Sequence, residues 1–274
     1  MRTGQELQEE IRRTEVPHGC LAVWFLGQES VVAKGDGLTI YIDPYVSEDP
    51  DRTFPPPLEA ERVTDADLVL ITHEHSDHLD RKAIPVIARN NPEARFLAPS
   101  CCRKELLELG VNPDRLEAAV PDAWAGYGPK LRIHPLAAAH ESLEYSEDGL
   151  PRYVGYILEL NGVTLYHAGD TVLFPELVEK VGAHRIDLAM LPINGRDYFR
   201  NSRDIVGNMN YREAAEFAAV SGFDTMVPLH YDLYAGNAEN PGYFVDYMYK
   251  HYPENKLHVM ARGERFVYVS PGAF

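Results

Sequence analysis

Six consecutive residues carry most of the chemistry legible in this chain. His73-Glu74-His75-Ser76-Asp77-His78 sets three imidazoles and an aspartate within one short stretch. Imidazole nitrogen and carboxylate oxygen are the donors that zinc, manganese and iron accept. Four such groups so close together converge on one point only if the chain turns sharply as it leaves a rigid element. The run before them, Leu68-Val-Leu-Ile71, supplies that element: it is too short and too β-branched for a helix and predicts a buried strand. The alternative is a polar surface loop that happens to be rich in histidine. The donors follow the strand without a spacer, and this order favours a metal site.

Placed after an apolar strand, His-x-His-x-Asp-His resembles the signature of the metallo-β-lactamase fold. The resemblance implies an α/β protein, a four-layer αββα sandwich of two mixed β-sheets with helices outside. It also implies ligands further along: a lone His, an Asp after a Gly, and a late His at a strand end. His140 in Pro-Leu-Ala-Ala-Ala-His, Asp170 in Leu-Tyr-His-Ala-Gly-Asp-Thr and His230 in Met-Val-Pro-Leu-His-Tyr-Asp answer to these. Singly, each is weak, because a lone His beside an apolar run is more often structural. In the family's order, each at the end of an expected strand, they support one another. The chain-order match implies one site of His73, His75 and His140, a second of Asp77, His78 and His230, and Asp170 bridging both. The cofactors implied are two divalent ions per chain, Mn2+ or Zn2+, with iron a further candidate because a His/Asp set is permissive. Such a pair makes hydroxide available near neutral pH, and Asp77 is placed to orient that water or pass its proton to the leaving group. No Gly-x-Ser-x-Gly elbow offers a rival nucleophile, so the expected reaction is hydrolysis by a metal-bound hydroxide. The resemblance extends from about Gly19 to Val269.

The elements that must position these residues can be read in order. Residues 5–15 favour a short polar helix with few apolar anchors, so residues 1–18 are expected to form an N-terminal helical arm on one domain of 1–274. The arm leads into Leu21-Ala-Val-Trp-Phe-Leu-Gly27, and this pairing, with Tyr-His-Ala-Gly-Asp170 and Pro-Leu-His-Tyr-Asp232, resembles the branch of L-ascorbate-6-phosphate lactonases. Strands Ser30–Lys34 and Leu38–Ile42 join at Gly35-Asp36-Gly37, a hairpin signal. Asp43 follows, where the family places a structural Asp close to the metals. Residues 44–64, rich in Pro, Asp and Glu, predict a long flap beside the site. Asp80 caps a helix to about Asn90; Arg95–Ala98 and Leu131–Ala139 read as strands, and Arg152–Leu160 with Val163–His167 as a hairpin across Asn161-Gly162. Asn210 and Glu213 predict a capping box on a helix stopped by Gly222. Leu257–Ala261 and Arg265–Val269 are expected to finish the second half.

Residues 192–209 form a second expected loop, and it holds Arg196, Arg200 and Arg203. Arginine is shaped for phosphate or carboxylate; the opposing reading pairs these side chains with Asp197 and Asp204. Tyr231 and Asp232, with Tyr234 and Asn237, follow His230 and are candidates to line a pocket, as are Glu141 and Tyr145 after His140. His167 reads as packed in its hairpin.

Composition bounds the partners. The chain has 274 residues, 45% hydrophobic and 25% charged, with a formal net charge of −16. That charge opposes nucleic acid, whose phosphates need a basic footprint. The apolar runs fall short of the ~20 residues of a membrane span, and the amino terminus lacks an apolar signal core. Cys20, Cys101 and Cys102 are odd in number and a poor disulfide framework, which suits a reducing cytoplasm. The expectation is a cytoplasmic metal-dependent hydrolase, homo-oligomeric as relatives commonly are, acting on a small anionic substrate, a phosphorylated lactone or ester. A phosphodiesterase or phospholipase-D-like hydrolase of the same fold is the alternative, and a metal-free binding protein a more distant one.

Overall fold

The computed structural model describes residues 3–273. Its first sheet is built from β1 (Cys20–Gly27), β2 (Ser30–Gly35), β3 (Leu38–Ile42), β4 (Leu68–Leu70), β5 (Arg95–Ala98) and β6 (Leu116–Ala118). The second takes β7 (Ala125–Tyr127), β8 (Leu131–Ala137), β9 (Val154–Leu160), β10 (Val163–His167), β11 (Leu188–Pro192), β12 (Thr225–Leu229) and β13 (Lys256–Leu257). The last strand, β14 (Arg265–Val269), returns to the first sheet, giving two seven-stranded sheets ordered β14-β1-β2-β3-β4-β5-β6 and β13-β12-β11-β10-β9-β8-β7. Both are mixed. Pairing is antiparallel from β14 to β3 and parallel from β3 to β6, and the second sheet repeats the scheme with β10 at the junction.

Alternation along the strands explains the layers. Leu21, Val23, Phe25, Ile40, Ile42, Leu68 and Leu70 face the second sheet and share one core with Tyr156, Leu158, Leu165 and Met190. Their neighbours Ala22, Trp24, Leu26, Tyr41, Val69 and Ile71 face outward and pack under helices α1 (Gly4–Arg13), α2 (Ile84–Asn90) and α3 (Arg103–Glu108). Strands apolar on both faces are what a sheet covered on both sides requires. On the far side α4 (Pro175–Gly182), α6 (Tyr211–Ser221) and α7 (Pro241–His251) cover the second sheet. Between α4 and α6 lies the one-turn α5 (Tyr198–Asn201), in a stretch expected to be loop throughout. The α/β sandwich of two mixed sheets is therefore as expected.

Three local expectations change. The N-terminal helix is firmly docked: Leu7 and Ile11 are fully buried, each burial being worth about 1.5–3 kcal/mol. Lys34 Nζ caps it by donating to the carbonyls of Ile11 (2.6 Å) and Arg12 (2.9 Å). The strand expected at Leu257–Ala261 shrinks to Lys256–Leu257. Arg265–Val269 does not finish the second half; it pairs antiparallel with β1, Cys20 opposite Val269, and so occupies the edge that β1 would otherwise expose. The Asn210 capping box is present, Gly222 ends α6 at φ 67°, and the Asn161-Gly162 turn has φ 56° and 81°. No helix among the described residues is long and apolar enough to cross a membrane. All three cysteines are free.

Candidate metal centre

Every chemically distinctive side chain sits just past a strand end along one rim of the sandwich. Asp43 follows β3, His73 follows β4, His140 follows β8, Asp170 follows β10 and His230 follows β12. Asp43 organises the first turn: Oδ1 accepts from Thr72 N (2.7 Å), while Oδ2 accepts from Thr72 Oγ1 (2.5 Å) and lies 2.7 Å from His78 Nδ1. The His73–His78 stretch then folds back on itself, the amides of His78 and Leu79 both donating to His75 O. Asp170 is reached through Gly169, at φ 58°; a Cβ there would lie 2.9 Å from Thr72 Cβ and from Val154 O, so glycine alone fits. His230 itself takes a left-handed conformation, φ 55°, and its amide donates to Gln28 O (2.9 Å).

These turns bring the seven expected ligands together. Three groups have potential ligand atoms all within 4.8 Å of one another: His73, His75 and His140; His73, His78 and Asp170; and Asp77, His78 and His230. Asp170 spans them, with Oδ2 3.5 Å from His140 Nε2 and 3.2 Å from His230 Nε2, and Oδ1 3.5 Å from His78 Nε2. The imidazoles crowd one another, His73 and His78 lying 3.9 Å apart between ring centroids. Tyr153, buried, closes one wall against His73 and His140, each at 5.3 Å.

Burial and neighbouring charge divide the histidines into two sets. Burial, reinforced by the charge of His78, holds His73 well below the usual imidazole range and lowers His75; burial lowers His140. These three are neutral and offer lone pairs. Burial would also lower His78, but the carboxylates of Asp170, Asp77 and Asp43 outweigh it and hold His78 well above the ordinary value. His230 is raised in the same way, by Asp170 and then Asp77. Asp170 and Asp77 are kept ionised: burial disfavours their charge, and the facing His230 and His78 more than compensate.

Whether the residues suit an ion is decided by atoms without partners. His73 Nε2, His78 Nε2 and Asp170 Oδ1 are buried and make no hydrogen bond. Leaving such groups unsatisfied costs about 1–3 kcal/mol each, yet here they point toward a common centre. A divalent cation satisfies all of them, and a mixed nitrogen and oxygen donor set suits one. The residues fit.

Several expected substrate contacts turn out to be structural. The left-handed turn at His230 sends Tyr231 back into the core, where it stacks on Phe25 (6.1 Å) and its hydroxyl donates to Met260 O. Asp232 accepts from Arg262 Nε (2.8 Å) and faces the amide of Gln28 (3.4 Å), pinning the β1–β2 turn instead of facing a pocket. Arg196 is held bidentately by Glu213 (2.7 and 2.8 Å), not by Asp204. Arg200 is buried against Asp197, Asn237 and Ala238 O, and Arg203 lies 3.5 Å over the Phe199 ring. The arginine loop thus commits its cations to the protein, as the opposing sequence reading foresaw in kind. Asn237 takes part in that packing, and Glu141 accepts from Gly207 N (3.2 Å). His167 is packed, its Nε2 2.9 Å from Glu29 O.

The first flap does lie beside the centre. Thr53 N and Oγ1 bond the carbonyls of Leu233 and Asp232, and Tyr234 OH donates to Tyr45 OH (2.9 Å). Asp80 ties the flap's other end to the ligand loop by accepting from Val46 N and Ser47 N. Sequence reasoning missed Thr72, Tyr153 and Gln28. Only Thr72 carried a local signal, a hydroxyl directly before the first ligand.

Comparison with known proteins agrees with this geometry. Residues 39–231 match the model of the β-lactamase superfamily domain. A UPF0173 metal-dependent hydrolase of Thermococcus kodakarensis is 31% identical over 228 residues, covering 81% of this chain and 89% of its own. A probable L-ascorbate-6-phosphate lactonase of Escherichia fergusonii is 24% identical, with 87% of this chain and 77% of that one aligned. Among solved structures, Igni18, a metallo hydrolase of Ignicoccus hospitalis, superposes with a TM-score of 0.72 at 25% identity, covering 91% of this chain and 98% of that one. The chain belongs to the β-lactamase superfamily and is a metal-dependent hydrolase of the metallo-β-lactamase fold.

Proposed function

We propose that this superfamily member hydrolyses a small lactone or carboxylic ester at a centre of two divalent ions. The observation that carries the reading is the position of Asp170, whose two oxygens face ligand atoms of both histidine groups. His73, His75 and His140 would hold one ion and Asp77, His78 and His230 the other, Asp170 bridging. Divalent ions held there would supply a more acidic water near neutral pH and would polarise the bond under attack.

The remaining work falls to the chain's own side chains. Asp77 is the most exposed of the carboxylates here, its side chain 18% accessible against 4% for Asp170. It is also held ionised, so it can take the proton of the attacking water and return it to the leaving oxygen. Asp43 and Thr72 fix the ring of His78 from behind. Tyr153 excludes water from the His73 and His140 wall.

Likeness to the lactonase supports a carbonyl substrate. A phosphorylated tail would need a free cation, and Arg196, Arg200 and Arg203 are engaged elsewhere; recognition is therefore assigned to the scissile group. The test is turnover by metal-loaded protein of lactones and carboxylic esters against phosphodiesters, with Asp170→Ala alongside. Lactone or ester turnover is expected, nearly abolished in Asp170→Ala, which should lose a metal yet unfold cooperatively. Faster phosphodiester turnover would overturn the substrate class; full activity and both metals in Asp170→Ala would overturn the bridge.

A further inference from the structure

At the tip of the β1–β2 turn, Gln28 is buried and held in the left-handed region, φ 59°, an uncommon state for a residue that is not glycine. Three contacts fix it there. Its amide faces Asp232 Oδ1 (3.4 Å), its carbonyl accepts from His230 N (2.9 Å), and its side chain reaches in between two expected ligands. The terminal Nε2 lies 2.7 Å from Asp77 Oδ2 and 3.0 Å from His230 Nε2.

Those distances have a meaning beyond hydrogen bonding. Adjacent donors around a small octahedral cation, each about 2.1 Å from it, stand about 3 Å apart. The end of the Gln28 side chain is at that spacing from two members of the Asp77, His78 and His230 group. In the orientation observed, the amide NH2 donates to the Asp77 carboxylate and lies beside the His230 ring nitrogen. A half-turn about the last side-chain bond puts Oε1 at the same point without moving any other atom, since the two ends of a carboxamide are nearly the same size. A cation between Asp77 and His230 would favour that turn, because it attracts the carbonyl oxygen and repels the NH2.

We infer that Gln28 is a further protein donor to the second metal position, through Oε1, beside Asp77, His78, His230 and the bridging Asp170. This rests on the two-ion reading. A neutral carbonyl oxygen is a hard donor, so it biases that position toward ions such as Mn2+ over Zn2+. The first position, with three imidazoles, has no such residue and should lack the bias.

The experiment is a titration of metal-free protein with Mn2+ and separately with Zn2+, followed by calorimetry and by counting bound ions, on wild type, Gln28→Leu and Gln28→Glu. Wild type should bind two ions. Gln28→Leu should bind the second Mn2+ at least tenfold more weakly, lose less for Zn2+, and leave the first binding step unchanged. Gln28→Glu, which restores an oxygen at the same reach, should recover the second Mn2+, and it serves as the informative variant if the leucine protein proves unstable. Unchanged or tighter second binding in Gln28→Leu, with wild type binding two ions, overturns the inference and leaves the two-ion reading standing. Only one ion bound by wild type overturns both.

Discussion

Asp43→Asn isolates what a carboxylate outside the ligand set does for the centre. The backbone tolerates the change, because Asp43 sits at φ 45°, where asparagine is among the residues most readily accommodated. The side chain does not. Asp43 accepts three contacts: Thr72 N on one oxygen, Thr72 Oγ1 and His78 Nδ1 on the other. If the amide keeps its oxygen toward Thr72 N, its NH2 faces His78 Nδ1, which must then accept. The imidazole proton moves to Nε2, the atom facing Asp170 and Asp77, and a protonated Nε2 cannot ligate. If the amide turns the other way, two N–H groups oppose at 2.7 Å, which costs more.

The expected loss of metal affinity is about 10–100-fold, or about 1.4–2.7 kcal/mol. Replacing a charge-assisted hydrogen bond adds about 1.5–3 kcal/mol of lost folding stability, a fall of roughly 3–12 °C in the melting temperature of the metal-free protein. The pH dependence gives a sharper check. Asp43 is one of the carboxylates that raise His78, so near neutral pH His78 carries a proton that an arriving metal must displace. Removing the charge at 43 lowers the pKa of His78 and reduces that competition, most where protons are abundant. The affinity loss should therefore be larger at pH 8 than at pH 6. Calorimetric titration with Mn2+ or Zn2+ at both pH values, with thermal melts of the metal-free variant, measures it. Unchanged affinity at pH 8, or a larger loss at pH 6, would refute the argument.

Two other substitutions probe residues away from the ligands. Arg200→Ala should lower the melting temperature by several degrees, since it removes a buried guanidinium that donates to Asn237 Oδ1 and Ala238 O. It should alter KM less than twofold for phosphorylated and unphosphorylated substrates alike, whereas a tenfold rise for the phosphorylated one alone would return the arginine loop to substrate binding. Glu29→Gln tests the buried carboxyl behind the centre, whose two oxygens have no hydrogen-bond partner, His167 Nε2 lying 3.3 Å from Oε2. Burial, then Asp170, pushes its pKa well above the ordinary carboxyl value, so the stability it contributes is present below about pH 4.5 and lost as pH rises through the raised value. Glutamine has no such loss: the variant should melt with wild type at pH 4 and a few degrees higher at pH 8, and a gap that stays constant or reverses with pH would contradict this.

How much of this was legible in the sequence follows from the distance over which each part is decided. His73 to His78 are legible because one strand and one turn place them, and both are written in fourteen adjacent residues. His140, Asp170 and His230 are legible more weakly, through the rule that each follows an apolar run. The arginines show the limit. Arg196 finds Glu213 and Arg200 finds Asn237 only after α6 and the loop following β12 have folded against the same rim, so charge composition suggested an anion site where packing built an internal one. Tyr231 is decided by a single backbone angle at His230, and β14 by which sheet edge stands open, neither of which leaves a periodic trace. Gln28 lies 202 residues from His230 in sequence and 3.0 Å from it in space. The candidate ligands of residues 73–78 are thus local and readable, while a side chain such as Gln28 that would tune which metal binds, and those that would choose a substrate, come from turns the two sheets bring together only when the sandwich closes.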